Sequence, residues 1–166
     1  MIIKKVCMLG SFAVGKTSLV ARFVHGRYSE AYLTTLGVKI DKKVVALAAD
    51  QVNMQLWDLA GDDAYQPLKQ SYLRGSGGFL LVADGTRPDT LTHLAAMRAA
   101  LPASDAARPF ALLLNKWDLA DAWALDAAAV ARAGDGAVGT WQTSAKTGAG
   151  VEEAFTALAQ AMVADM

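Results

Sequence analysis

A chain of 166 residues fits one domain and can bury about two thirds of the surface its unfolded form exposes, so one compact core is expected over residues 1–166. Apolar residues make up 54% and the formal net charge is zero, which argues against disorder and against broad electrostatic attraction to nucleic acid or membrane. A monomer that binds its partners by shape is expected.

The one cysteine, Cys7, sits in an apolar run, where a buried inert thiol is expected and a reducing, cytoplasmic compartment fits. No apolar run approaches the roughly eighteen residues of a membrane span. The N-terminus lacks a charged-then-apolar signal pattern, Ile2 stands where myristoylation needs glycine, and the chain ends Ala164-Asp165-Met166 without a terminal cysteine. No intrinsic membrane anchor is therefore expected.

In chain order, Lys5 to Leu9 reads as a strand, and Leu19, Val20, Phe23 and Val24 repeat with helical spacing until Gly26. Between them Gly10-Ser11-Phe12-Ala13-Val14-Gly15-Lys16-Thr17 fits G-x-x-x-x-G-K-[ST], the P-loop pattern, in the strand-to-helix context that it requires. Gly10 and Gly15 would let the backbone turn its N–H groups into a concave nest, and the new helix adds its positive dipole end. Such a nest suits a di- or triphosphate. Lys16 would bridge the terminal phosphates, and the Thr17 hydroxyl would be a hard oxygen ligand for Mg²⁺. A Gly-rich turn with a stray lysine is the competing reading.

Val38 to Leu47 alternates and reads as an edge strand, and Val52, Met54 and Leu56 alternate with Asn53 and Gln55, so the two runs are expected to pair as an antiparallel hairpin. Phe79 to Ala83 and Phe110 to Leu114 are unbroken apolar runs, as central strands buried on both faces would be. Between them a helix is expected from Asp89 or Thr90 to near Pro102. The alanine-rich segment from Trp123 to Ala133 predicts another helix, Val138 to Gln142 a last strand, and Val151, Ala154, Phe155, Leu158 and Met162 the apolar stripe of a terminal helix. His25 and His93 read as surface helix residues with no assigned role. Alternation of strands and helices throughout predicts an α/β fold with a mostly parallel sheet.

Three further motifs follow strands. Trp57-Asp58-Leu59-Ala60-Gly61 is a D-x-x-G in which Asp58 could accept from Mg²⁺-bound water and the Gly61 N–H could approach a γ-phosphate. Asn115-Lys116-Trp117-Asp118 places a carboxylate able to take both the ring N–H and the exocyclic amine of guanine, an edge that adenine lacks. Ser144-Ala145-Lys146 follows the last strand. A strand-to-helix turn capped by Asp118 would be a real competitor if the motif stood alone. Four motifs at the C-terminal ends of strands instead converge on the crevice where open α/β sheets bind ligands.

With these motifs the whole chain resembles the Ras-like small GTPases, and Thr34-Thr35-Leu36-Gly37-Val38, Trp57-Asp58-Leu59-Ala60-Gly61 and Ser71-Tyr72-Leu73-Arg74-Gly75 are similar to the Rab type. The resemblance implies a P-loop NTPase three-layer sandwich, with a six-stranded, mostly parallel sheet, one antiparallel edge strand and helices on both faces. It implies that Ser11, Phe12, Ala13, Val14, Gly15, Lys16, Thr17 and Ser18 wrap the phosphates of GTP or GDP. Thr17, Thr35 and Asp58 would hold Mg²⁺, with Thr35 joining only when a γ-phosphate is present. Tyr28 would cover the guanine and Lys116 lie along it, while the Ala145 N–H would meet its carbonyl oxygen, with Ser144 and Lys146 supporting that loop. Lys16, Thr35, Gly61 and the residue after Gly61 would serve catalysis. Effectors and regulators would read the loops together with a hydrophobic triad at Ile40, Trp57 and Tyr72, with local packing as the alternative role for those three.

Two departures from the family concern hydrolysis. Asp62, followed by Asp63, stands where the family usually has the glutamine that orients the attacking water. A carboxylate cannot donate as an amide does, and it adds negative charge beside a triphosphate. Phe12 occupies a P-loop position where many relatives keep glycine and would obstruct an arginine supplied by a partner. Slow hydrolysis is expected. The alternatives are a standing GTP-bound scaffold and, more remotely, an ATP-dependent kinase on a P-loop core.

Overall fold

A computed structural model describes residues 1–29, 37–59 and 70–166. In chain order it places β1 (Ile2–Leu9), α1 (Lys16–His25), β2 (Val38–Ala46), β3 (Gln51–Leu59), α2 (Gln70–Leu73), β4 (Ser76–Asp84), α3 (Pro88–Ala99), α4 (Ala103–Ala106), β5 (Phe110–Asn115), α5 (Ala127–Ala133), β6 (Thr140–Gln142) and α6 (Val151–Ala164), with a 3₁₀ segment at Trp117–Ala122. The sheet has six strands in the order β2-β3-β1-β4-β5-β6, parallel throughout except for β2 against β3.

Alternation along the strands sorts side chains into two cores. In β1, Val6 and Met8 face the cluster under α1 and α6, whereas Cys7 and Leu9 face the cluster with Leu91 and Leu94 of α3. Phe23 of α1 stacks on Phe155 of α6 at 4.0 Å between centroids. The central strands β4 and β5 are buried on both faces, which explains their unbroken apolar runs. Among the described residues no helix is long and apolar enough to cross a membrane.

Several boundaries differ from the sequence reading: β1 starts at Ile2 rather than Lys5 and β4 at Ser76 rather than Phe79, and three further differences have visible causes or consequences. Helix α3 starts earlier, with Pro88 in its first turn, because Thr90 is wholly buried and spans the end of β4 and the turn: its hydroxyl donates to the Arg87 carbonyl at 2.7 Å and accepts from the Asp84 N–H at 2.9 Å. The helix expected from Trp123 starts only at Ala127. The Trp123 backbone is extended, its ring stands edge-on to Trp117 at 5.0 Å, and it lies so close to Gly85 that a Cβ there would sit 1.7 Å from it. The last strand is shorter than expected, starting at Thr140.

Candidate functional site

The parallel strands deliver the described residues of the four motifs to one end of the sheet. After β1 the chain turns through residues 10–15 into α1, with left-handed backbone at Ala13 (φ 63°) and Gly15 (φ 100°). Gly10 contributes differently from the expectation: a Cβ there would stand 2.5 Å from the Val82 carbonyl oxygen, so it is needed for close approach to β4. At Gly15 a Cβ would meet the Asn115 amide at 2.3 Å. Ser11 and Val14 are buried, and Phe12 projects outward, 45% exposed. Lys16 is buried in the first turn of α1, and its ammonium donates to the Gly10 carbonyl at 3.0 Å, across the mouth of the turn. Thr17 and Ser18 follow, half-buried. Backbone N–H groups gathered at a helix start beside an ammonium form a cradle for anionic oxygens.

Asp58, near the end of β3, is 1% exposed and accepts from the Thr17 hydroxyl at 2.6 Å. A hydroxyl and a carboxylate oxygen at this spacing are hard donors of the kind that magnesium takes.

From β5, the buried Asn115 links three segments: its amide N–H donates to the Val14 carbonyl at 2.9 Å, and its oxygen accepts from the Thr143 hydroxyl at 3.1 Å. Lys116 has left-handed backbone (φ 72°), and its ammonium lies 2.9 Å from Asp84 Oδ2. Asp118 is exposed and is oriented by the buried Ser144, whose hydroxyl donates to Oδ1 at 2.7 Å and accepts from the Thr147 N–H at 3.1 Å. Ala145 is buried and Lys146 exposed. Arg22 of α1 ties this loop down, donating from Nε to the Ala145 carbonyl at 2.7 Å and from Nη2 to the Lys146 carbonyl.

Not every expected residue joins this network. Tyr28 is exposed on the segment beyond α1 and takes no part in these hydrogen bonds. Thr35, Gly61 and Asp62 lie outside the described residues. Of the surface triad only Ile40 is open; Trp57 and Tyr72 are half-buried against the α3-side core, with Lys5 Nζ 3.7 Å from the Trp57 ring centroid.

Several participants escaped the sequence reading. Asp84, Thr143 and Arg22 belong to no motif. His93, expected at the surface, is half-buried and its Nδ1 lies 3.0 Å from the Ser11 hydroxyl, joining α3 to the loop after β1. His25 stands exposed, 3.8 Å from Asp41. For Asp84 a signal existed: it is the polar residue that closes a buried parallel strand, on the edge where such sheets place their ligands.

Comparison with known proteins agrees with this geometry. Residues 5–164 match the model of the Ras family. Over 161 residues, 95% of this chain and 77% of the relative, the sequence is 32% identical to the GTP-binding protein YPTM1 of Zea mays. The match to the family model over nearly the whole chain and the 32% identity to this relative show that the chain belongs to the Ras family of small GTP-binding proteins, of the Rab or Ypt type.

Proposed function

We propose that the chain, as a single domain, is a Mg²⁺-dependent switch that alternates between GTP and GDP and hydrolyses GTP slowly. The observation that carries this reading is the convergence of the cradle, the Thr17–Asp58 pair and the Asp118–Ser144 loop at one end of the sheet. The residues present fit both ligands. Gly15 takes the left-handed turn and leaves the Asn115 amide room to pack against the loop, and Lys16 supplies the ammonium for the terminal phosphates. The carboxylate of Asp118 would accept from the guanine ring N–H and amine, and the Ala145 N–H would meet its carbonyl oxygen. Thr17 and Asp58 would hold the metal, with Thr35 completing the set in the GTP form. Mg²⁺, when bound, neutralises charge on the β- and γ-phosphate oxygens.

Loss of the γ-phosphate would release Thr35 and Gly61, so nucleotide state becomes surface shape, read by effectors and regulators around Ile40, Trp57 and Tyr72. Hydrolysis is slow in this reading because Asp62 can neither donate to the attacking water nor avoid the triphosphate's charge, and because Phe12 stands open at the mouth of the cradle. Phe12 also favours the second reading, a standing GTP-bound scaffold. Retention in the sequence of Lys16, Thr17, Thr35 and Asp58 favours the switch, since a pure scaffold need not keep every Mg²⁺ contact.

Chromatography of the nucleotide that copurifies, followed by single-turnover conversion of GTP over hours, tests the proposal. Guanine nucleotide and a rate at or below about 10⁻⁴ per second support it. Adenine nucleotide would instead support the kinase reading, no conversion over days the scaffold, and turnover near one per second would remove the argument from Asp62 and Phe12.

A further inference from the structure

Strand β4 ends in a carboxylate that none of the motifs contains. Asp84 is 1% exposed and pairs in register with Asn115 of β5. Its Oδ1 accepts from the Thr86 backbone N–H at 2.9 Å and from the Thr86 hydroxyl at 2.7 Å. Its Oδ2 lies 2.9 Å from Lys116 Nζ. Burial alone would push this carboxyl's pKa up. The Lys116 ammonium and the two donors from Thr86 outweigh that and hold it below its ordinary value, so the group is an anion at neutral pH.

The consequence falls on Lys116. A lysine stem with four rotatable bonds keeps no fixed direction unless its ammonium is held. Here a carboxylate removed from water and fixed by Thr86 holds it as the near partner of an ion pair, 2.9 Å away. The neighbouring cation, Arg87, is 3.9 Å from the same oxygen and donates instead to the Phe12 carbonyl at 3.0 Å, so the close partner of Asp84 is Lys116. Arg87 nevertheless brings this carboxylate to the flank of the cradle.

We propose that Asp84 is a positioning residue of the guanine-nucleotide site, fixing the Lys116 ammonium along the base so that nucleotide residence depends on Asp84 acting through Lys116. This rests on the guanine-nucleotide reading above. A carboxylate that served only to fill the end of β4 would affect nucleotide release whether or not Lys116 were present.

Dissociation of fluorescent N-methylanthraniloyl-GDP, chased with excess GDP in Mg²⁺, separates the two roles. Asp84→Asn keeps the shape and removes the charge, and the off-rate is expected to rise about tenfold. Lys116→Met should raise it at least as much, and the double variant should release no faster than Lys116→Met alone. Thr86→Val, a half-buried change that removes one donor to Asp84, should raise the off-rate about threefold in the wild-type background and leave the Lys116→Met background unchanged. It carries the test if Asp84→Asn fails to fold. Multiplying effects in the double variants, or single variants within twofold of wild type, would overturn the role of Asp84 alone. Wild-type protein that does not retain the fluorescent GDP would overturn the nucleotide reading beneath it.

Discussion

The charge on Asp84 links the candidate site to stability. Its folded pKa is lowered, because the ammonium of Lys116 and the donors of Thr86 overcome the cost of burial. A lowered carboxyl contributes stability that is present above its unfolded pKa, about 3.9, and is lost as pH falls through the folded value. The stability difference between wild type and Asp84→Asn, measured by urea unfolding, should therefore be constant from pH 7 to about 5 and shrink below about 4. A difference that persists unchanged at pH 3.5 would contradict the assignment. The role proposed for Asp62 is a test of electrostatics in hydrolysis. Replacing it with glutamine restores a donor and removes a charge, and single-turnover hydrolysis should accelerate by roughly tenfold, about 1.4 kcal/mol of barrier. An unchanged or slower rate would mean that Asp62 does not face the attacking water. At this scale sequence motifs disclosed the residues grouped in short runs, such as Lys16, Thr17 and Asp118. They did not disclose Asp84, His93 or Arg22, whose partners are distant in the chain and meet only once the sheet has formed.

The strands were legible because burial imposes a period. Alternation marked β2 and β3, and unbroken apolar runs marked β4 and β5. The region between β5 and β6 was not. Its alanines favour helix wherever they stand, so the start of α5 is decided by other residues: Trp123, committed to Gly85 and Trp117, and Asp126, whose carboxylate accepts from the Ala129 N–H at 3.1 Å. Small side chains also leave a cavity of about 680 Å³ between α3, α4 and α5, lined by Leu91, Leu94, Leu125, Ala95 and Ala129 among others. With seven residues, none of them fully buried, α5 leans on its cap. Asp126→Ala should lower unfolding free energy by about 1 kcal/mol, and the melting temperature by about 2–4 °C for a chain of this size. Chemical denaturation measures it, with Asp126→Asn as the reference that keeps a capping oxygen. Equal stability of the two variants would mean that α5 is held by its contacts rather than by its first turn.

Across the described residues, one six-stranded sheet with a core on each face gathers segments from distant parts of the chain at a single end. The turn at residues 10–15 follows β1, the Thr17–Asp58 pair joins α1 to β3, and the proposed guanine loops follow β5 and β6. None of these segments can present the arrangement in an unfolded chain. A ligand that bridges them binds the native state alone, and its binding energy adds to global stability as RT ln(1 + [L]/Kd), about 2.7 kcal/mol at a hundredfold excess over Kd. For a domain of this length that corresponds to a rise in melting temperature of roughly 5–10 °C. Protein stripped of nucleotide should gain that shift with GTP or GDP in the presence of Mg²⁺, lose a large part of it on chelation with EDTA, and gain almost none from ATP at the same concentration. Scanning calorimetry distinguishes the outcomes, and the transition should remain single, since the cradle and both guanine-type loops hang on the same sheet. An equal response to ATP would show that the cradle reads phosphates while Asp118 and Ala145 do not read the base. Two resolved transitions, with only one moved by nucleotide, would mean that the site belongs to a part of the molecule that melts on its own.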